Sequence, residues 1–248
     1  MRYFIQFAYR GTNYHGWQFQ PNAVSIQEVL TKAMNILFCE DFELTAAGRT
    51  DAGVHAKLMY AHFDTEKDFN TAQMIQKLNS FLPEDITIYH FFNVSDQAHA
   101  RFDAVSRSYE YHIHTFKNSF LKDLSWYHFR PLDIEKMNQA AKILLEYEDF
   151  ECFSKTHTDV FTFNCSITNA CWEQDGDRLI FHISANRFLR NMVRAIVGTL
   201  IYVGSGKIAV EDVRKIIESK DRGKAGFSVP AHGLYLTRVI YPYINETD

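Results

Sequence analysis

Residues 46–56 read AAGRTDAGVHA, and three of them, Arg49, Thr50 and Asp51, carry groups that can do chemistry. A carboxylate two residues from a guanidinium, framed by Gly48 and Gly53 and by small apolar residues, is not the evenly polar composition of a solvated loop. Glycine accepts backbone angles that other residues resist, so these flanks would let the chain bring Asp51 close to a ligand. If both side chains faced one pocket, the cation would keep the carboxylate ionised. An ionised, partly desolvated aspartate can serve as a base or a nucleophile. The competing reading is local, because aspartate ahead of a turn glycine is often only a turn former.

Two further sets of residues have chemical potential. No Asp or Glu occurs from Arg178 to Val210, a stretch that holds Arg178, Arg187, Arg190, Arg194 and Lys207. In a chain of net charge -4 this is a segregated basic region of the kind a polyanion partner requires. A helix is predicted over 188–203. Its register sets Arg187, Arg190, Asn191, Arg194 and Gly198 on one face, at i, i+3, i+4, i+7 and i+11, with apolar residues opposite. Guanidinium forks on such a face suit phosphate groups, and a structural arginine stripe fits the pattern equally. Tyr109 and Tyr111 alternate along a predicted strand and so share a face. They are either core residues or, facing a cleft, a stacking platform for an extruded base. His112 and His114 also share a face, but with His99 they have no metal-ligand spacing, and no Walker loop or GxGxxG precedes a helix.

These residues need elements to position them. A strand at 2–9, a helix at 25–38 opened by Ser25 and Glu28 in capping-box register, strands at 42–47 and 56–64, a helix at 71–81 and a strand at 86–94 make one β-α-β-β-α-β series. A strand at 107–116, a helix at 133–147, strands at 160–174 and 178–185, helices at 188–203 and 210–219, and a strand at 234–243 make a second. The expected fold class is α+β, two tandem ferredoxin-like (βαββαβ) halves with sheets side by side around a central cleft. The expected division is 1–100, carrying the aspartate loop, and 101–248, carrying the arginine-rich helix and the tyrosines.

Bulk properties narrow the class of protein. With 46% hydrophobic and 15% aromatic residues in 248, the chain can build a core. Cys39, Cys152, Cys165 and Cys171 form no CxxC pair, which suits free thiols in a reducing compartment. MRYFIQFAYRG at the N-terminus alternates like a strand and has no signal-peptide pattern, and no apolar run is long enough for a membrane span. The expectation is a cytoplasmic protein without a membrane association.

GRTDAGVHA (48–56), YRGTNYHGWQ (9–18), AHARFDAVSRSYEY (98–111), ANRFLRNMVRAIVGTL (185–200) and DRGKAGFSVPAHGLYL (221–236), in this order and spacing, resemble the tRNA pseudouridine synthase A family over nearly the whole chain. The resemblance implies two ferredoxin-like halves around a cleft and isomerisation of uridine to pseudouridine in tRNA, typically at nucleotides 38 to 40 of the anticodon arm. It implies that Asp51 is the nucleophile, that Arg49 helps extrude the target nucleotide and fills its place, that Tyr109 stacks on the uracil, and that Arg194 pairs with the aspartate. Arg187, Arg190 and Arg178 would then border the RNA path. It also implies a homodimer, and no metal, redox or nucleotide cofactor. Ser108, where an arginine is common, and Arg187 and Arg190, where smaller residues or histidine are frequent, depart from the family pattern and bear on the choice of substrate.

Three other readings compete. A non-catalytic RNA-binding module would share the α+β halves, but the aromatic sheet signature of such modules is missing and Asp51 would have no purpose. A small-molecule enzyme using Asp51 with His55 would have no need of the acid-free arginine stretch. A pseudouridine synthase acting on another RNA is the closest rival.

Overall fold

The computed structural model describes residues 1–155 and 161–244. In chain order the regular elements are β1 (Arg2–Tyr9), α1 (Ile26–Phe38), β2 (Thr45–Ala46), β3 (His55–Asp64), α2 (Thr71–Phe81), β4 (Ile86–Val94), β5 (Ser106–His114), β6 (Trp126–Tyr127), α3 (Ile134–Ile143), β7 (Ile167–Asp175), β8 (Arg178–Ala185), α4 (Met192–Gly204), α5 (Asp212–Glu218) and β9 (Leu234–Ile240). The class is α+β. Contacts gather the chain into two units, Met1–Val105 together with the chain from Leu236, and Ser106–Tyr235, so the division at the C-terminal end falls inside β9.

In the first unit β1 lies between β4 and β3, antiparallel to both, and β2 pairs with β3. Ser25 caps α1 by accepting the Glu28 N–H at 3.2 Å, and Cys39, in the left-handed region at φ 53°, ends it. Asn70 caps α2 in the same way through the Gln73 N–H at 3.0 Å. Ile26, Leu30, Ala33, Met34 and Phe38 recur at helical spacing and bury one face of α1. Phe4, Ile5, Phe7, Met59 and Phe63 fill the core from β1 and β3. β2 is only two residues long, where a strand over 42–47 is predicted. The Phe42 N–H donates to Asn35 Oδ1 at 3.0 Å and the Leu44 carbonyl accepts from Gln27 at 2.9 Å, so side chains of α1 take the groups a ladder would use.

In the second unit β8 lies between β5 and β7, antiparallel to both, with the short β6 parallel to β5. Asp133 caps α3 through the Lys136 N–H at 3.0 Å, and α3 tightens at Leu144–Glu146 into a 3-10 turn. The strand predicted over 160–174 begins at Ile167; Val160 itself lies outside the described residues. Ahead of β7 the chain bonds to residues 148–150 instead, with Cys165 N–H on the Glu148 carbonyl at 2.8 Å and Phe150 N–H on the Phe163 carbonyl at 3.2 Å. The helix predicted from 188 begins only at Met192, because Asn191 takes a left-handed conformation at φ 68° that no helix continues through. Among the described residues no helix is long and apolar enough to cross a membrane.

Candidate active site

The aspartate loop is held by the segment that follows β1. The Trp17 N–H donates to the Thr50 carbonyl at 3.3 Å, the Gly53 N–H to the Tyr14 carbonyl at 3.2 Å, and the Tyr9 and Thr50 hydroxyls bond at 2.8 Å. The Val54 N–H closes a turn onto the Asp51 carbonyl at 3.1 Å, with Gly53 at φ 79° in the position where a type II turn needs a positive angle. Approach of the two segments is so close that a Cβ on Gly16, itself at φ 84°, would lie 2.2 Å from the Thr50 carbonyl oxygen. One on Gly11 would lie 1.9 Å from that of Val54. The Gly11 N–H donates to His55 Nδ1 at 3.0 Å, and His55 is only 1% exposed. That imidazole is therefore committed to holding the backbone. Tyr14 in turn donates to Asp85 at 2.5 Å, tying the segment to the turn before β4.

The outcome is a half-buried Asp51 on a backbone fixed from both sides, with Arg49 exposed two residues away. Gly48 has open space where a Cβ would stand, so its neighbourhood is uncrowded. The residues that fix this loop, Tyr9, Gly11, Gly16 and Trp17, were not assigned a role by composition or spacing. The signal for them was present in the glycine pair of RGTNYHG, since glycines outside a hairpin often mark close backbone approach.

In the second unit the two tyrosines of β5 part company. Tyr111 is wholly buried, its hydroxyl on the Pro230 carbonyl at 2.8 Å, and burial drives its ionisation well above the ordinary phenol range. Tyr109 is half-buried, with its ring edge-on to Phe188 at 5.2 Å. It is the member of the pair that keeps a surface for a ligand. Ser108 spends its hydroxyl on Ser184 directly across the ladder, at 2.8 Å.

The single arginine face expected on the long helix does not exist. Arg187, Arg190 and Asn191 precede α4, and of the expected row only Arg194 and Gly198 lie on the helix. Eleven of the thirteen residues of α4 are buried, all but Arg194 and Tyr202, which accounts for the lack of acids from Met192 to Gly204: a helix sunk in the core excludes them. What approaches Gly198 is the protein itself. A Cβ there would stand 1.8 Å from the Phe227 carbonyl oxygen, and one on Gly226 would stand 2.3 Å from the Gly198 carbonyl carbon.

This close crossing of the segment around residues 226–229 over α4 positions Arg194. Its Nε donates to the Val229 carbonyl at 2.7 Å, and the Val229 N–H donates back to the Arg194 carbonyl at 3.3 Å. Ser228 receives Asn191 at 2.7 Å and Arg222 at 3.0 Å. Arg187 is half-buried and Arg190 exposed, both just beyond the Ala185 end of β8. Arg178 stands at the other end, opposite His114, while Tyr109 faces Ile183. Five residues of strand, roughly 17 Å, separate those positions. The structure thus brings Arg187 and Arg190 to one end of the sheet and leaves Arg178 at the other.

The four cysteines are free thiols, and burial pushes those of Cys152 and Cys165 up to about 12 and about 11. Neither is a candidate nucleophile at neutral pH.

The sequence model of one family, described as tRNA pseudouridine synthase, matches residues 5–103 and 140–242. A tRNA pseudouridine synthase A from Bacteroides thetaiotaomicron is 53% identical over 244 residues, which cover 97% of this chain and 91% of that protein. The protein of the same name from Bacteroides fragilis is 53% identical over 243 residues, covering 97% and 96%. That from Thermoanaerobacter sp. is 43% identical over 240 residues, covering 94% and 96%.

Proposed function

The chain belongs to the tRNA pseudouridine synthase family, and from that premise we propose how its residues isomerise uridine to pseudouridine in tRNA. Asp51 is the nucleophile, attacking ribose C1′ or uracil C6. The bond between uracil N1 and the ribose breaks, the base turns, C5 becomes the new attachment point and the bond to Asp51 breaks again, while the C5 hydrogen leaves as a proton and N1 takes one up. Uridine and pseudouridine are isomers, so the reaction consumes no oxidant or nucleoside triphosphate. The observation that carries this reading is a half-buried carboxylate on a loop fixed by both Tyr9 and Trp17, with an exposed guanidinium at the same tip.

Uracil within a stacked stem is out of reach, and extruding it costs a few kcal/mol. Arg49, which is exposed, offsets part of that cost by occupying the space the nucleotide leaves. Tyr109 stacks on the uracil, and Arg194, steadied by the Val229 carbonyl, contributes positive charge to the reacting groups. Arg187 and Arg190 contact phosphates along the RNA path, with Arg178 a separate contact further off. The substrate positions are nucleotides 38 to 40 of the anticodon arm, and the working form is a cytoplasmic homodimer. We read each half of the chain, 1–100 and 101–248, as ferredoxin-like. The strand order β4-β1-β3-β2 in the first unit and β5-β8-β7 in the second supports that reading.

Tritium release from tRNA carrying [5-³H]uridine tests the reaction. Wild type should release tritium, and Asp51→Asn should bind the tRNA yet release none. Release by Asp51→Asn at the wild-type rate would remove Asp51 from the nucleophile's role.

A further inference from the structure

Residues 98–103, AHARFD, turn the chain between β4 and β5, and every backbone N–H in the turn has an acceptor. Ala98 donates to the Ser95 carbonyl at 2.8 Å and Asp103 to the His99 carbonyl at 3.0 Å. His99 donates to Asp103 Oδ2 at 2.8 Å and Ala100 to His62 Nδ1 at 3.2 Å. Arg101 and Phe102 both donate to His99 Nδ1, at 3.1 and 3.3 Å. Arg2 and Tyr241 hold the Ala98 and Ala100 carbonyls at 2.8 and 2.5 Å, and Tyr243 holds Asp103 at 2.8 Å. A turn bonded this completely has little freedom left to lose.

Its tip, however, is turned to solvent. Phe102 is 72% exposed, with its ring 4.3 Å from that of His99 and the Arg101 guanidinium 5.6 Å from its centroid. A single exposed phenylalanine is ordinary. One carried by a fully bonded turn, with a guanidinium on the residue before it, is different. A ring and a guanidinium on adjacent residues match the two parts of a nucleotide, its base and its phosphate, and the backbone that carries them is ordered before binding.

We propose that the turn 98–103 is a tRNA-contact element in which Phe102 stacks on an accessible base and Arg101 pairs with an adjoining phosphate. The inference rests on the reading that this chain acts on tRNA. It adds a contact that neither the family resemblance nor the site around Asp51 supplied.

Binding of an unmodified tRNA transcript by the full-length protein, measured across a range of salt concentrations together with tritium release, tests it. Phe102→Ala should weaken binding by roughly 5- to 150-fold with the salt slope unchanged, the range for losing one stacked base. Phe102→Trp should restore it. Arg101→Ala should weaken binding and lower the salt slope by about one, as for one lost phosphate contact. All three variants should keep the wild-type Tm and sedimentation. Wild-type affinity in both alanine variants would overturn the proposal, as would a lowered Tm that Trp does not repair, which would mark Phe102 as a packing residue. A change of oligomeric state in Phe102→Ala would overturn it too, assigning the tip to a second copy of the chain. If wild type itself released no tritium, the proposed function would fail instead; active wild type with unaffected variants refutes this inference alone.

Discussion

Asp51 needs neighbours that do nothing chemical. The hydroxyl pair of Tyr9 and Thr50 fixes the residue immediately before it. Tyr9→Phe removes one partner and should cost about 1 kcal/mol of stability. Because the lost bond positions the carboxylate and does not bind RNA, steady-state kinetics should show kcat falling several-fold with KM unchanged. An equal change in KM would instead place Tyr9 in substrate binding. His62 carries a second prediction at this scale. Burial and the nearby Arg2 push its imidazole down from 6.5 to about 4, while its Nδ1 accepts the Ala100 N–H. The folded state therefore stays neutral where the unfolded state takes up a proton. Stability is complete above pH 6.5 and falls as pH drops from there towards 4. Thermal unfolding across that range should show the decline, and His62→Gln, which keeps an acceptor without a titratable ring, should lessen it, leaving the share of His99, His114, His128 and His232, whose imidazoles burial also holds down.

Among the elements, the most constrained are not the strands but the crossings where backbone meets backbone. Gly16 meets Thr50 and Gly198 meets Phe227, one beside the aspartate loop and one beneath Arg194. Gly198→Ala stays within helical geometry yet drives a methyl into a carbonyl, so it should destabilise by at least the roughly 1–3 kcal/mol of ordinary overpacking. Gly16→Ala adds backbone strain to the clash, since its φ is 84°. Denaturant midpoints should fall for both. Circular dichroism of Gly16→Ala under native conditions, with activity lost ahead of secondary structure, would locate the damage in the loop.

For the whole molecule, the discontinuity of the first unit has an energetic meaning. Residues from Leu236 onward return to it, where Val239 and Tyr241 are buried and Tyr241 packs edge-on against Phe4 and Tyr60 at 5.1 Å each. Truncation after Tyr235 should therefore strip hydrogen-exchange protection from β1 and β3 while β8 and α4 keep theirs. Equal loss in both units would show that they unfold as one. Net charge acts at the same scale. A net charge of -4 works against general affinity for RNA, so binding has to come from a few local cations, and its salt dependence should be shallow, a slope of only a few units.

The sequence by itself determined what depends on near neighbours. Capping by Ser25 and Asp133, the apolar stripe of α1, and the spans of α2 from Thr71 to Phe81, of β1 from Arg2 to Tyr9 and of β4 from Ile86 to Val94 are local matters, and each stands where its pattern put it. The five motif blocks likewise carried the family, because they lie in the sequence in fixed order. What only the tertiary structure decided is which side chains share a place. Periodicity ran through Arg187 and Arg190 into α4 because it cannot see the left-handed turn at Asn191. It gave Tyr109 and Tyr111 one face but not their different depths, and the acid-free composition of 178–210 grouped Arg178 with arginines that stand at the other end of β8. Pattern set Gly198 on the arginine face and assigned Gly11 and Gly16 no role, because the backbones they admit come into view only in the fold. Propensity acts over one turn of chain, whereas burial and close approach are properties of the packed molecule.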